Sequence, residues 1–310
     1  MKSFTDRNAI SDIIGLQHTS CGTEYKIINS SKQEEYTRYL IKYNTYNDEI
    51  PAYLLIPDAS GPRPAVLVHH QHNRKQFLGK SEVCGLAGNP LQAFGPALAQ
   101  KGFVVLAPDS IFFEDRRKNA KGIEPLPGDA DFWQHHNEMC YRIVHGENLM
   151  KTVIEDAMQG ISLLAGIDFV DKNKIGTLGH SYGGNTVLFL AALDERIRFA
   201  CASGSACTYK NRIENNVGIE MASVIPGFCL KYDIDDVAGC IAPRDLLLVS
   251  ASEDKYSRDA DYITQQISFL YANHHREHAL CHKRYSGGHA ITQERFDFII
   301  NWLIETSEHI

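Results

Sequence analysis

No CxxC pair, no zinc-type cysteine and histidine spacing, no internal repeat and no low-complexity tract occurs in this chain of 310 residues. Its eight cysteines (Cys21, Cys84, Cys140, Cys201, Cys207, Cys229, Cys240 and Cys281) are scattered. They read as reduced thiols and buried filler. No run of Lys and Arg stands out, and the net charge is −7 with a pI near 6.0. That balance argues against nucleic acid or an anionic membrane as a main partner. The start, MKSFTDRNAISDIIG, has no uninterrupted apolar segment and does not read as a signal peptide. No stretch approaches the length of a membrane-spanning helix. The expectation is a soluble cytoplasmic protein without a membrane partner.

What remains is an ordinary globular composition, 44% hydrophobic and 22% charged. A chain this long buries about three quarters of its unfolded surface, enough for a sizeable core. Residues 1–34 carry little pattern beyond Asp12-Ile13-Ile14, which reads as part of a short helix, and form an N-terminal extension. EYTRYLIKYNTYND (35–48) and EIPAYLLIPD (49–58) read as a hairpin turning at Asn47-Asp48. AVLVHH (65–70), FVVLAPD (103–109), KIGTLG (174–179), RIRFACASGS (196–205), DLLLVSAS (245–252) and HALCHKRYSGG (278–288) read as strands. Helical patterns fill 89–102, 148–166, 183–195, 260–275 and 292–308, while 110–140 reads as irregular. Buried strands alternating with amphipathic helices predict an α/β fold, a mostly parallel sheet covered on both faces. Ligands of such sheets bind at the carboxyl ends of the strands.

At one such end stands GHSYGG. A nucleophile at the apex of a strand-to-helix turn needs small neighbours, because the backbone is sharply bent. Gly179, His180, Ser181, Tyr182 and Gly183 fit that Gly-x-Ser-x-Gly pattern. A random chain this long shows it about one time in ten, so the flanking strand and apolar helix carry the inference. A serine hydroxyl needs a base. Asp254 follows the apolar run LLLVSASE, and His289 lies in SGGHAIT before the closing helix. The order Ser181, Asp254, His289 suits a triad in which His289 takes the serine proton and Asp254 orients the imidazole. Glu253 is the rival acid, and Asp254 is preferred from its offset past the strand. The oxyanion would be held by the N–H of Tyr182 and by that of Gln71 or His72, between which the sequence does not choose.

These residues carry a resemblance. Through HHQHNRKQFLGKSE, NPLQAFGPALAQKGFVVLAPD, GHSYGG, APRDLLLVSASED and SGGHAIT, over roughly residues 50–305, the chain resembles the α/β-hydrolase superfamily. Within it, the resemblance is to the branch of dienelactone hydrolases and acetyl xylan esterases. It implies an eight-stranded sheet in a single domain over 1–310. It also implies hydrolysis of small or short-acyl esters through an acyl-serine, with no metal or other cofactor. Dienelactone hydrolases proper use cysteine where Ser181 stands, which favours a serine esterase.

Other constellations read more simply. His69, His70 and His72 alternate along a strand without a carboxylate, and His274, His278, Cys281 and His282 span a helix-to-strand change, so neither set reads as a metal site. GKSE (79–82) lacks the spacing of a phosphate loop. Glu114, Asp115, Arg116 and Arg117 read as an ion-paired, solvated loop, with recognition of an acidic substrate group as the functional rival. The segment 205–240 is too long for a plain connector and reads as a lid-like insertion. Its Met221, Ile225 and Phe228, together with His70, are candidate pocket residues, against core packing as the plain alternative. The two rival functions are a peptidase of the prolyl-oligopeptidase type and a non-catalytic binding protein on the same scaffold.

Overall fold

The structure, a computed structural model, describes residues 6–17, 22–46 and 48–310. Cys21 and Asn47 lie outside them. In chain order come α1 (Arg7–Ile14), β1 (Tyr25–Lys32), β2 (Tyr36–Asn44), β3 (Glu49–Pro57), β4 (Arg63–His69), α2 (Lys80–Val83), α3 (Phe94–Gln100), β5 (Val104–Pro108) and α4 (Ala130–Val144). Then follow α5 (Leu149–Ala165), β6 (Val170–His180), α6 (Tyr182–Leu193), β7 (Phe199–Ser203), α7 (Tyr209–Glu214), α8 (Ile234–Gly239), β8 (Asp245–Ala251), α9 (Ala260–Asn273), β9 (Leu280–Tyr285) and α10 (Gln293–His309).

One nine-stranded sheet runs in the order β1-β2-β3-β5-β4-β6-β7-β8-β9. From β5 to β9 every pairing is parallel, and β1, β2 and β3 add an antiparallel edge. The expected eight strands are thus joined by a ninth, β1. Its sequence YKIINSSK is exposed along its whole length, so no buried stripe marked it. Strand alternation divides the core in two. Leu67, Leu106, Ala202 and Leu248 face α1, α5 and α6. Val66, Val105, Cys201 and Leu247 face α3 and α10. Each such Val or Leu contributes about 1.5–3 kcal/mol on burial.

The helical pattern over 89–102 resolves into a 3-10 turn at Pro90–Gln92 followed by α3. Pro96 explains the break, because it has no N–H to give the Gln92 carbonyl. Residues 110–140 read as irregular, but from Ala130 onward the chain is helical and forms α4. Its buried residues are Asp131 and His135, so no apolar stripe announced it. The insertion 205–240 holds α7, α8 and two 3-10 turns.

Candidate active site

Ser181 joins β6 to α6 with φ 58° and ψ −116°. That is strained backbone for a residue with a Cβ, costing on the order of 1–3 kcal/mol. The strain is held in place by close packing. A Cβ on Gly179 would collide with the Gly183 carbonyl, and one on Gly183 with the His69 carbonyl. The Ser181 N–H donates to the Ser203 carbonyl at 2.8 Å, and the Ser181 carbonyl accepts from Asn185 N at 3.0 Å. Tyr182 opens α6, where the first N–H groups have no partner within the helix.

The three residues singled out from separate strand ends meet. His289 Nε2 lies 2.8 Å from Ser181 Oγ, and its Nδ1 lies 3.0 Å from Asp254 Oδ1. Asp254 also accepts from Tyr256 N at 2.9 Å and from Ser257 Oγ at 2.6 Å. Burial alone would raise its carboxyl. The hydrogen bond and charge of His289, with the Ser257 and Tyr256 donors, outweigh burial and hold it below the usual range. Glu253, the rival acid, is exposed, whereas Asp254 is buried. Arg295, in the first turn of α10, ties the histidine loop by donating to the carbonyls of Ser286, Gly288 and Ala290 at 2.7–2.9 Å. Its contribution was not legible, since only the folded loop brings those carbonyls to it.

Ser181 and His289 open on a cleft of about 530 Å³. Gln71 and His72 line it, as does Met221 from the insertion. The Gln71 side chain donates to both carboxylate oxygens of Glu82 at 3.1 Å, which pins this loop. The other three candidate pocket residues are elsewhere. Phe228 is fully buried among Phe189, Tyr209 and Tyr232. Ile225 belongs to the same core. His70 sits behind the cleft, where Nε2 accepts from Ser110 N at 3.1 Å and Nδ1 donates to the Gln71 carbonyl at 2.9 Å. Packing, rather than pocket lining, is their role.

Two groups in the cleft wall were missed. One is the trio Phe132, His136 and Met139 from α4. The other is Glu220, whose Oε2 accepts from Ala222 N at 2.9 Å. Its Oε1 is buried with no partner among the described residues, and burial pushes the carboxyl up to about 7.

The charged run after β5 is ion-paired as expected, but Glu114, Arg116 and Arg117 are buried rather than solvated and Asp115 is half-buried. Lys80 is 1% exposed and its Nζ lies 2.8 Å from Asp109, 2.5 Å from Glu114 and 2.6 Å from Asp115. Arg116 meets Asp48 and Asp156, and Arg117 meets Asp131. Each arginine is thereby committed to internal carboxylates, which removes the reading of an acidic-substrate clamp. Asp109, Glu114 and Asp115 are also the one group of three ligand-type side chains drawn together among the described residues, and the Lys80 ammonium stands among them. The His274–His282 stretch divides as its spacing suggested. His274 caps α9 and His282 lies in β9, where its Nε2 meets Ser250 Oγ at 2.7 Å.

Comparison with known proteins agrees with this architecture. Residues 141–215, which include the serine turn, match the model of the prolyl oligopeptidase family. A protein of Bacillus subtilis (strain 168) named "Putative hydrolase YtaP" is 26% identical over 275 residues, 83% of this chain and 85% of that one. A structure titled as a "putative acetyl xylan esterase" from Bacteroides fragilis NCTC 9343 superposes with a TM-score of 0.71 at 18% identity, over 90% of this chain and 73% of that one. A glucuronoyl esterase from Solibacter usitatus superposes with a TM-score of 0.69 at 14% identity, over 97% and 92%. No helix among the described residues is long and apolar enough to cross a membrane.

Proposed function

We propose that this chain, an α/β-hydrolase by fold, is a serine esterase that cleaves small or short-acyl esters through an acyl-serine. The observation that carries the reading is the hydrogen-bonded line Ser181–His289–Asp254 opening on a cleft. Ser181 Oγ attacks the ester carbonyl carbon while His289 Nε2 takes its proton. The oxyanion is met by the N–H of Tyr182 and by one from the Gln71–His72 segment. Collapse breaks the bond to the alkoxy oxygen, and the alcohol leaves with the proton from His289. Water then attacks the acyl-serine, giving its proton to His289, and the acid departs as Ser181 regains its hydrogen. Asp254, held as carboxylate, balances the imidazolium in both halves.

The short-acyl preference rests on the modest insertion beside the cleft, whose helices α7 and α8 have six residues each. The wall itself is mixed, with Asn73, Arg74, Asn185 and Arg212 beside a larger apolar share from Phe132, Met139, Ile219, Met221 and Val224. The test is a series of p-nitrophenyl esters from acetate to laurate. Turnover should peak at the short end and vanish in Ser181→Ala, and a peak at laurate would contradict the acyl preference. The match to the prolyl oligopeptidase model keeps a peptidase as second reading. Hydrolysis of aminoacyl p-nitroanilides without ester turnover would favour it.

A further inference from the structure

His180, the residue before the serine, has no part in the chemistry above. It ends β6 and is 2% exposed. Its Nδ1 lies 3.0 Å from Ser203 Oγ on β7. The two imidazoles lie tilted against each other, with centroids 4.8 Å apart and planes 35° apart. Gly204, at φ +62°, permits this meeting. A Cβ there would stand 2.7 Å from His180 Cε1 and 3.1 Å from His289 Cε1.

His289 needs such a support. Its loop follows Gly287 and Gly288, and its side chain is 30% exposed. The bonds to Asp254 and Ser181 fix the ring edge only. Arg295 holds the carbonyls on either side, but not that of His289 itself. We propose that His180 is a positioning residue which, anchored to Ser203, fixes the His289 imidazole between Ser181 and Asp254 by packing against its ring. This inference rests on the serine-hydrolase reading.

A neutral ring suits the task, because a charged neighbour would repel the imidazolium that forms on His289. Burial holds His180 neutral, lowering its pKa to about 3. The other titratable or charged groups facing His289 are Asp254 and Tyr256, from the segment after β8, and Arg295, from α10. Of these, Asp254 favours the imidazolium. A loosened His289 loses part of that pairing.

The test uses the full chain, p-nitrophenyl acetate as substrate and fluorophosphonate titration to count active sites. His180→Phe keeps a ring but removes the hydrogen bond to Ser203. A misplacement near 1 Å costs about 10²-fold in rate. We therefore expect kcat per titrated site to drop about 10- to 100-fold, with KM little changed. Ser203→Ala removes that hydrogen bond alone, leaves the ring contact, and should lower kcat per site by less. If His180→Phe does not fold, Ser203→Ala decides. A lower Tm with kcat per site unchanged would overturn the positioning role while leaving the esterase reading intact. A wild type that takes up no fluorophosphonate would overturn both.

Discussion

Asp109 and Asp254 each stand just beyond a parallel strand, β5 and β8, and each is almost fully buried. Their partners differ. Asp109 meets the Lys80 ammonium, which is shared with Glu114 and Asp115 and has contacts to all three. Asp254 meets an imidazole whose far nitrogen lies against Ser181 at the cleft. In the first cluster burial, then the Glu114 charge, pushes the Asp109 carboxyl up. In the second, burial is outweighed and the carboxyl is held down. An ammonium with every donor engaged can only lock geometry. An imidazole with one nitrogen on a carboxylate and one on a hydroxyl can move a proton. The same residue type at equivalent strand ends is thus structural in one place and suited to chemistry in the other.

The comparison breaks most sharply through the serine site. Ser181→Ala and His289→Ala should each lower kcat/KM on p-nitrophenyl acetate by at least about 10³-fold, with the folded state retained. Asp254→Asn should cost about 10⁴-fold in kcat, since the wrong tautomer then faces Ser181. Circular dichroism melts beside the kinetics would separate lost chemistry from lost fold.

The Lys80 cluster should answer in stability instead. Lys80→Met leaves three carboxylates around a missing ammonium. A loss of about 3–5 kcal/mol in urea unfolding is expected, because removing one partner strands buried charge. Rates per folded molecule should stay within the same decade. A collapse of kcat per titrated site with little change in stability would erase the distinction between the two clusters.

The smallest effect lies in the rings around the cleft. Burial lowers His135 to about 3, and its Nδ1 has no partner among the described residues. The unfolded ring titrates near 6.5, so between these values the folded state binds fewer protons. Stability from this ring is therefore full above about pH 6.5 and lost as pH falls below it. His135→Phe should flatten the decline in urea midpoint between pH 7 and 5.5 by the equivalent of about 1 kcal/mol. An unchanged slope would mean that His135 is protonated in the folded protein.

Legibility followed the range of the interactions. β4, β5, β6 and β8 were readable because each is an apolar run bounded by turn residues, and the serine turn was readable because its glycines answer a local clash. Asp254 and His289 followed from chain order. The burial of Lys80, Arg116 and Arg117 was not readable, since nothing local in GKSE or EDRR shows that carboxylates close over them. α4 and β1 carry no buried apolar stripe. Phe228 and Ile225 have the composition of a pocket wall and of a core alike, and only packing separates the two.

The central claim is an activated serine, and its most direct measurement needs no substrate. Wild type, Ser181→Ala and His289→Ala are incubated with a fluorophosphonate, and intact masses are followed by mapping of the adduct. One adduct on Ser181 is expected in the wild type, none in Ser181→Ala and none on the same timescale in His289→Ala. Folded wild type that stays unmodified, or carries its adduct on another residue, would contradict it.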